Sequence, residues 1–122
     1  MLRQGPIPRF AHGVIEYLAA VLFIVAPFVF GFDSSAAVAV SIIAGILVLV
    51  VAASTDGPTS LIDSIPLAVH LLLDFALAGV LVASPFLFGF SGETAPTAFF
   101  IVLGVVHLLV TIGTRFQGAT DR

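Results

Sequence analysis

Four long apolar stretches constrain what this chain can fold into more than any other feature of it. They run from about Pro8 to Phe30, Ser35 to Ser54, Pro66 to Phe88 and Ala95 to Thr114, each of 20 to 23 residues. As helices rising 1.5 Å per residue they would be about 30–34 Å long, the thickness of a bilayer hydrocarbon core. Nothing alternates with period two over the length of a barrel strand, so membrane strands are excluded. Composition agrees: 60% of the residues are hydrophobic and 9% charged, against roughly 45–50% and about 25% in soluble domains. A chain of 122 residues has too little interior to hide that much apolar side chain from water. The sequence therefore predicts an all-α integral membrane four-helix bundle, with the lipid bilayer as its first partner.

Local signals mark the ends of each span. Pro8 and Pro66 stand where a first helical turn tolerates proline. Gly31 and Gly89 follow the first and third spans, where a left-handed C-terminal cap needs glycine. Asp33, Ser34 or Ser35 can cap the second helix, and Thr94 the fourth before Pro96. The connections after spans one and three are a few residues long, so each pair of spans is expected to form a tight antiparallel hairpin. The middle connection, Thr55 to Ile65, holds Asp56-Gly57-Pro58 and Asp63 and reads as surface loop. Arg3 and Arg9 precede an apolar run reaching from Phe10 to Phe30, too long for a signal-peptide core of about 7–15 residues, and that run is read as a retained helix. Arg3, Arg9, Arg115 and Arg122 all fall on one side of a four-span protein. Asp33 and Glu93 fall on the other, with no basic residue. The positive-inside rule then puts both termini in the cytoplasm.

The chain also repeats itself. A shift of 58 positions lays Ile7-Pro8 on Ile65-Pro66, His12 on His70, Glu16 on Asp74, and Ala26-Pro27-Phe28-Val29-Phe30-Gly31-Phe32 on Ser84-Pro85-Phe86-Leu87-Phe88-Gly89-Phe90. After one inserted residue the shift is 59, laying Gly45 on Gly104 and Thr55 on Thr114. Residues 1–122 thus form one membrane domain of two units, 7–56 and 65–115. Two spans per unit give both copies the same orientation, related by a pseudo-two-fold axis along the membrane normal.

A small residue, a proline and an aromatic closing the first helix of a two-helix unit, followed by Gly-Phe, resembles the SPW repeat family of small bacterial and archaeal membrane proteins. The resemblance covers nearly the whole chain. The family's tryptophan is Phe28 in one copy and Phe86 in the other, and Ala26 stands where serine is expected. The resemblance implies a membrane location and a repeat architecture. It implies no activity and lends no catalytic residues.

The Pro-Phe segments (Pro27, Phe28 and Gly31; Pro85, Phe86 and Gly89) are expected to be architectural, their phenylalanines packing helix ends together rather than lining a ligand site. Ala37, Ser41 and Gly45 form a small-residue face on the second helix, and Gly79 and Ala83 a shorter one on the third. Such faces let backbones approach closely in lipid, within the chain or between subunits.

The ionisable residues inside the spans carry more chemistry. His12 and Glu16, and His70 and Asp74, are each four apart and share a helix face. Both carboxylates lie about 12 Å into their helices, and His107 lies at a similar depth from the same side. His107 falls opposite Val48 in the repeat and is the asymmetric member. A lipid-exposed carboxylate at mid-depth costs about 2.5–3.5 kcal/mol, so these groups should face the bundle interior. The bland expectation is a set of internal pairs that orient the two units. The sharper ones are a metal held by Glu16 and Asp74 with the histidines, a haem held by histidines among His12, His70 and His107, a quinone head-group site, or a proton path.

No cofactor is required by the sequence. With no cysteine and no lysine, disulfides, thiolate metal sites and redox thiols are excluded. A net charge of −3 with four basic residues argues against nucleic acid. Connections too short to build a catalytic domain argue against an enzyme. The expectation is a non-enzymatic structural or accessory subunit of a larger membrane assembly or homo-oligomer. A cofactor-binding redox protein is the first alternative, and a minimal oligomeric transporter or channel the second.

Overall fold

The computed structural model describes residues 6–55, 57–62 and 64–114. Arg3, Arg115 and Arg122 of the orientation argument, and Asp56 and Asp63 of the middle connection, lie outside them. Four helices make up the fold: α1 (Arg9–Val29), α2 (Ser35–Ser54), α3 (Leu67–Leu87) and α4 (Thr94–Gly113). All four are long and apolar enough to cross a membrane. Their outward faces are continuous aliphatic surface, including Leu18, Val21, Ile43, Leu72 and Leu109. Patches of that extent belong in lipid rather than water.

α1 packs along α2, and α3 along α4, while α1–α4 and α2–α3 touch far less. Each repeat unit is therefore a closely packed hairpin, and the two hairpins approach each other less closely. Glycine explains the close approach within each. A Cβ on Gly45 would lie 2.7 Å from the Ala20 carbonyl oxygen and from the Ile24 side chain, and one on Gly104 would lie 2.7 Å from Val82 and 3.1 Å from the Ala78 carbonyl. The small-residue face of Ala37, Ser41 and Gly45 is thus used inside the chain, all three residues being buried. Gly79 has open space around it. Gly45→Val is accordingly expected to destabilise the protein by about 1–3 kcal/mol through overpacking, whereas Gly79→Val, with the same loss of glycine, should leave stability nearly unchanged. Unfolding of both variants by denaturing detergent measures the contrast.

The prolines near the ends of α1 and α3 have a structural consequence beyond punctuation. Pro27 lacks the N–H that would bond the Phe23 carbonyl one turn earlier. Ser41 of α2 fills that role, its hydroxyl donating to the Phe23 oxygen at 2.6 Å. In lipid, an orphaned carbonyl has no water to fall back on. Beyond each proline the chain turns at Gly31 (φ +63°) and Gly89 (φ +76°), with the Phe32 and Phe90 amides bonded back to the Pro27 and Pro85 carbonyls at 2.9 Å. The left-handed glycine folds Phe32 and Phe90 under the bundle, where both are buried.

End packing is therefore carried by residues other than those the Pro-Phe step suggests. Phe28 and Phe86 are 73% and 64% exposed and face outward, because they follow prolines that are themselves buried. The aromatic cluster joining the hairpins is Phe23, Phe32, Phe90, Phe99 and Phe100. Its rings meet edge-to-face at centroid distances of 5.2–5.8 Å, a favoured arrangement.

One cap also differs from expectation. Ser34 caps α2, accepting from the Ala37 amide at 3.2 Å, but α4 starts at Thr94 with Glu93 as its cap residue and no side-chain cap bond. Glu93 instead reaches across to the other hairpin, where its carboxylate accepts from the Asp33 and Ser34 amides at 2.6 and 2.8 Å. An anion at the positive end of α2 is well placed electrostatically.

At the end that carries the termini the two units exchange contacts. The Ile7 amide donates to the Gly113 carbonyl at 2.9 Å, and the Ile65 amide to the Ser54 carbonyl at 2.7 Å. Under the repeat, Ile7 corresponds to Ile65 and Gly113 to Ser54. The start of each unit is tied to the end of the other, so the pseudo-two-fold closes on itself.

Candidate functional site

The same symmetry assembles the candidate site. His12 and Glu16 project from one turn of α1, His70 and Asp74 from the corresponding turn of α3, and all four are at least 95% buried. Helical spacing of four puts each pair on one face, and the pseudo-two-fold turns the two faces toward each other. The result is more than two side-by-side pairs. His12 Nε2 lies 3.1 Å from Glu16 Oε2 and 3.2 Å from Asp74 Oδ2, while His70 Nε2 lies 2.8 Å from Glu16 Oε2 and 3.2 Å from Asp74 Oδ2. Nitrogen and oxygen alternate around a closed ring, with each histidine between one carboxylate of its own helix and one of the other. One ligand atom from each residue falls within 4.8 Å of all the others.

Two threonines orient the ring. Thr55, just beyond α2, donates its hydroxyl to the Val51 carbonyl at 2.7 Å and lies 2.6 Å from His70 Nδ1. Thr114, just beyond α4, donates to the Val110 carbonyl and lies 2.7 Å from His12 Nδ1. A hydroxyl has one proton to give, and in both cases it goes to the carbonyl. Each threonine must therefore accept from its histidine, which puts the proton of the neutral ring on Nδ1. With Nδ1–H so engaged, Nε2 of each ring faces the carboxylates, either donating to them as an imidazolium N–H or, in the neutral ring, offering a lone pair that a cation seated between them would share. A histidine held through Nδ1–H with Nε2 presented inward is the arrangement that supports metal ligation.

His107 adds the asymmetric element. Its Nε2 lies 3.5 Å from Asp74 Oδ1, on the side of that carboxylate away from the ring of four. Its repeat counterpart Val48 is buried and apolar. His107 is therefore a neighbour of the centre and stands outside the set of mutually close ligand atoms.

A small polar recess, lined by Arg9, Gly13, Thr59 and the two histidines among others, separates the centre from the middle connection. The connection is pinned over it by the Tyr17 hydroxyl, which donates to the Thr59 carbonyl at 2.8 Å. The Arg9 guanidinium lies against Gly57.

All five titratable residues singled out in the spans thus converge, four of them on one point. Gly79 and Ala83, by contrast, lie far from it along α3, bordering a lipid-facing hollow. The residues not anticipated are Thr55 and Thr114. They sit outside the helical i, i+4 pattern, and the signal that could have found them is that they coincide in the repeat, at the shift of 59 that follows the inserted residue, just as the histidines coincide at 58.

No curated protein and no solved structure matches the chain. A family model, the SPW repeat domain, matches residues 10–114. That span includes both hairpins, the Pro-Phe-x-Phe-Gly-Phe closures and every residue of the centre. The chain is a member of the SPW repeat family, a membrane protein of two helix-hairpin repeats.

Proposed function

We propose that this protein binds a first-row divalent metal ion inside the membrane, with His12, Glu16, His70 and Asp74 as ligands. The observation that carries the reading is the closed ring of two Nε2 and two carboxylate oxygens with edges of 2.8–3.2 Å. A point central to such a ring is roughly 2.0–2.4 Å from each donor, in the range of bonds from nitrogen and oxygen to these ions. Charge supports it as well. Two carboxylates buried at mid-depth call for compensation, and one divalent cation balances both. Two imidazoles with two carboxylates suit zinc, iron, manganese or cobalt. The same geometry weighs against haem, because the carboxylate oxygens occupy the positions around the histidine pair that a macrocycle would need.

Metal binding fits a non-enzymatic protein, and we assign no turnover to it. It is compatible with an accessory role in a larger membrane assembly or a homo-oligomer, to which the lipid-facing surfaces would contribute. The placement of the four arginines supports cytoplasmic termini in a prokaryotic inner membrane, which puts the centre in the cytoplasmic half of the bilayer. Protein purified in mild detergent and dialysed against each ion in turn should retain one divalent ion per chain by elemental analysis, and cobalt should give visible ligand-field bands. Retention of none of zinc, iron, manganese or cobalt would overturn the reading and leave the ring as an ionic clasp between the hairpins.

A further inference from the structure

The repeat creates two equivalent crevices leading from the lipid to the centre, one between α2 and α3 and the other between α4 and α1. They are not equally filled. On the α4–α1 side His107 stands in the wall, and the hollow there is about 50 Å³ and runs inward to Val48, Leu77 and Leu81 at the centre of the bundle. In the α2–α3 crevice the corresponding residue is Val48, and a hollow of about 260 Å³ remains. Its walls are aliphatic, from Leu47, Val48 and Val51 on one side and Leu73, Leu77 and Val80 on the other, while Glu16 and Asp74 form its floor. Leu47, Leu73 and Val80 at its rim are exposed on the lipid-facing surface, so a ligand would arrive from the bilayer and not from water.

The floor dictates the chemistry of the occupant. Glu16 lines the crevice and meets both histidines through Oε2, so its second oxygen, Oε1, stands outside the ring and is the acceptor a ligand in the crevice could reach. Asp74, in contrast, has Oδ2 in the ring and Oδ1 toward His107. An alkyl chain in the crevice would leave Glu16 Oε1 facing hydrocarbon, at the penalty of an unpaired buried polar group. A fatty acid would bring a third carboxylate beside two. A head group that donates a hydrogen bond removes both problems. The volume is just below the roughly 300–1,000 Å³ of ordinary small-molecule pockets, enough for one ring with its tail left in the bilayer.

We propose that the α2–α3 crevice binds a lipid-soluble hydroquinone, its ring between Val48 and Leu77 and one hydroxyl donating to Glu16. The site uses the same carboxylate as the metal centre but does not depend on an ion being present. Binding is therefore measured on chelator-treated protein in nanodiscs, so that failure of the metal reading leaves this one standing. The probe is a decyl-tailed hydroquinone, partitioned between empty and protein-loaded discs, with its dimethyl ether as the non-donating control. The expected result is saturable binding of one hydroquinone per chain, with the ether weaker by roughly tenfold or more, as befits loss of a hydrogen bond to a charged acceptor. Val48→Phe should abolish binding by filling the crevice from within. Ala76→Phe, at a lipid-facing position on the wall where folding is not at risk, should weaken it by roughly tenfold. Equal binding of ether and hydroquinone would reduce the crevice to a slot for acyl chains and overturn the proposal. Undiminished binding in both crevice variants would do the same by placing the ligand elsewhere.

Discussion

His70→Ala is expected to abolish metal retention and to destabilise the protein by about 3–5 kcal/mol, the cost of removing one partner from a buried ion-pair set. His70 sits between Glu16 and Asp74, at 2.8 and 3.2 Å. Without it, two buried carboxylate oxygens face each other across the space it vacated. The origin of the loss can be tested separately from the loss itself. If uncompensated negative charge is the cause, adding Glu16→Gln to the His70→Ala background should restore a substantial part of the stability while leaving metal retention absent. Denaturing-detergent titrations of the two single variants and the double variant give the coupling directly. A double variant that is destabilised by the sum of the two single effects would show that His70 matters for packing and not for charge.

The second large effect is expected one shell further out. Replacing both Thr55 and Thr114 by valine preserves shape and removes the acceptors that hold the two imidazole Nδ1–H groups. Outer-shell partners of metal-bound histidines are typically worth about 10–100-fold in affinity, and an N–H left unpaired in the interior costs about 1–3 kcal/mol. The double variant should therefore bind metal about 10–100-fold more weakly, with all four ligands intact. The two single variants should resemble each other, since the pseudo-two-fold relates them. Serine at either position keeps the hydroxyl and should rescue affinity. Metal competition against a chromophoric chelator provides the measurement. A valine variant that loses stability but not affinity would mean that the threonines serve the fold alone.

Much of this architecture is legible in the sequence, for identifiable physical reasons. Helix ends are marked by Pro8, Gly31, Pro66 and Gly89 because those residue types have narrow backbone roles, and the observed bounds fall within about one residue of the apolar runs. The depth shared by His12, Glu16, His70, Asp74 and His107 follows from counting along helices of fixed rise. Spacing on one helix cannot reveal how faces meet across two. The i, i+4 rule therefore suggests separate pairs, His12 with Glu16 and His70 with Asp74, where the fold makes a ring in which each histidine serves both carboxylates. Side-chain reach is equally hidden. Glu93 is beside α4 in sequence yet bonds the start of α2, and Ser41, a small residue suited to close packing, also supplies the donor that Pro27 withholds. The phenylalanines mislead for a related reason: whether Phe28 or Phe32 turns inward depends on a single left-handed glycine between them.

The exchanged tethers at the terminal end, Ile7 to Gly113 and Ile65 to Ser54, bear on ancestry. Each of these tethers, and each histidine–carboxylate contact between α1 and α3, has one half in each unit, and each unit contains both kinds of half. Two identical copies of a single hairpin would close the same circle, with one histidine and one carboxylate from each. A single chain does not oblige the copies to match, and they differ at aspartate for glutamate and at histidine where the sister copy has valine. The pseudo-two-fold is thereby broken where the openings lie, with one side more filled than the other.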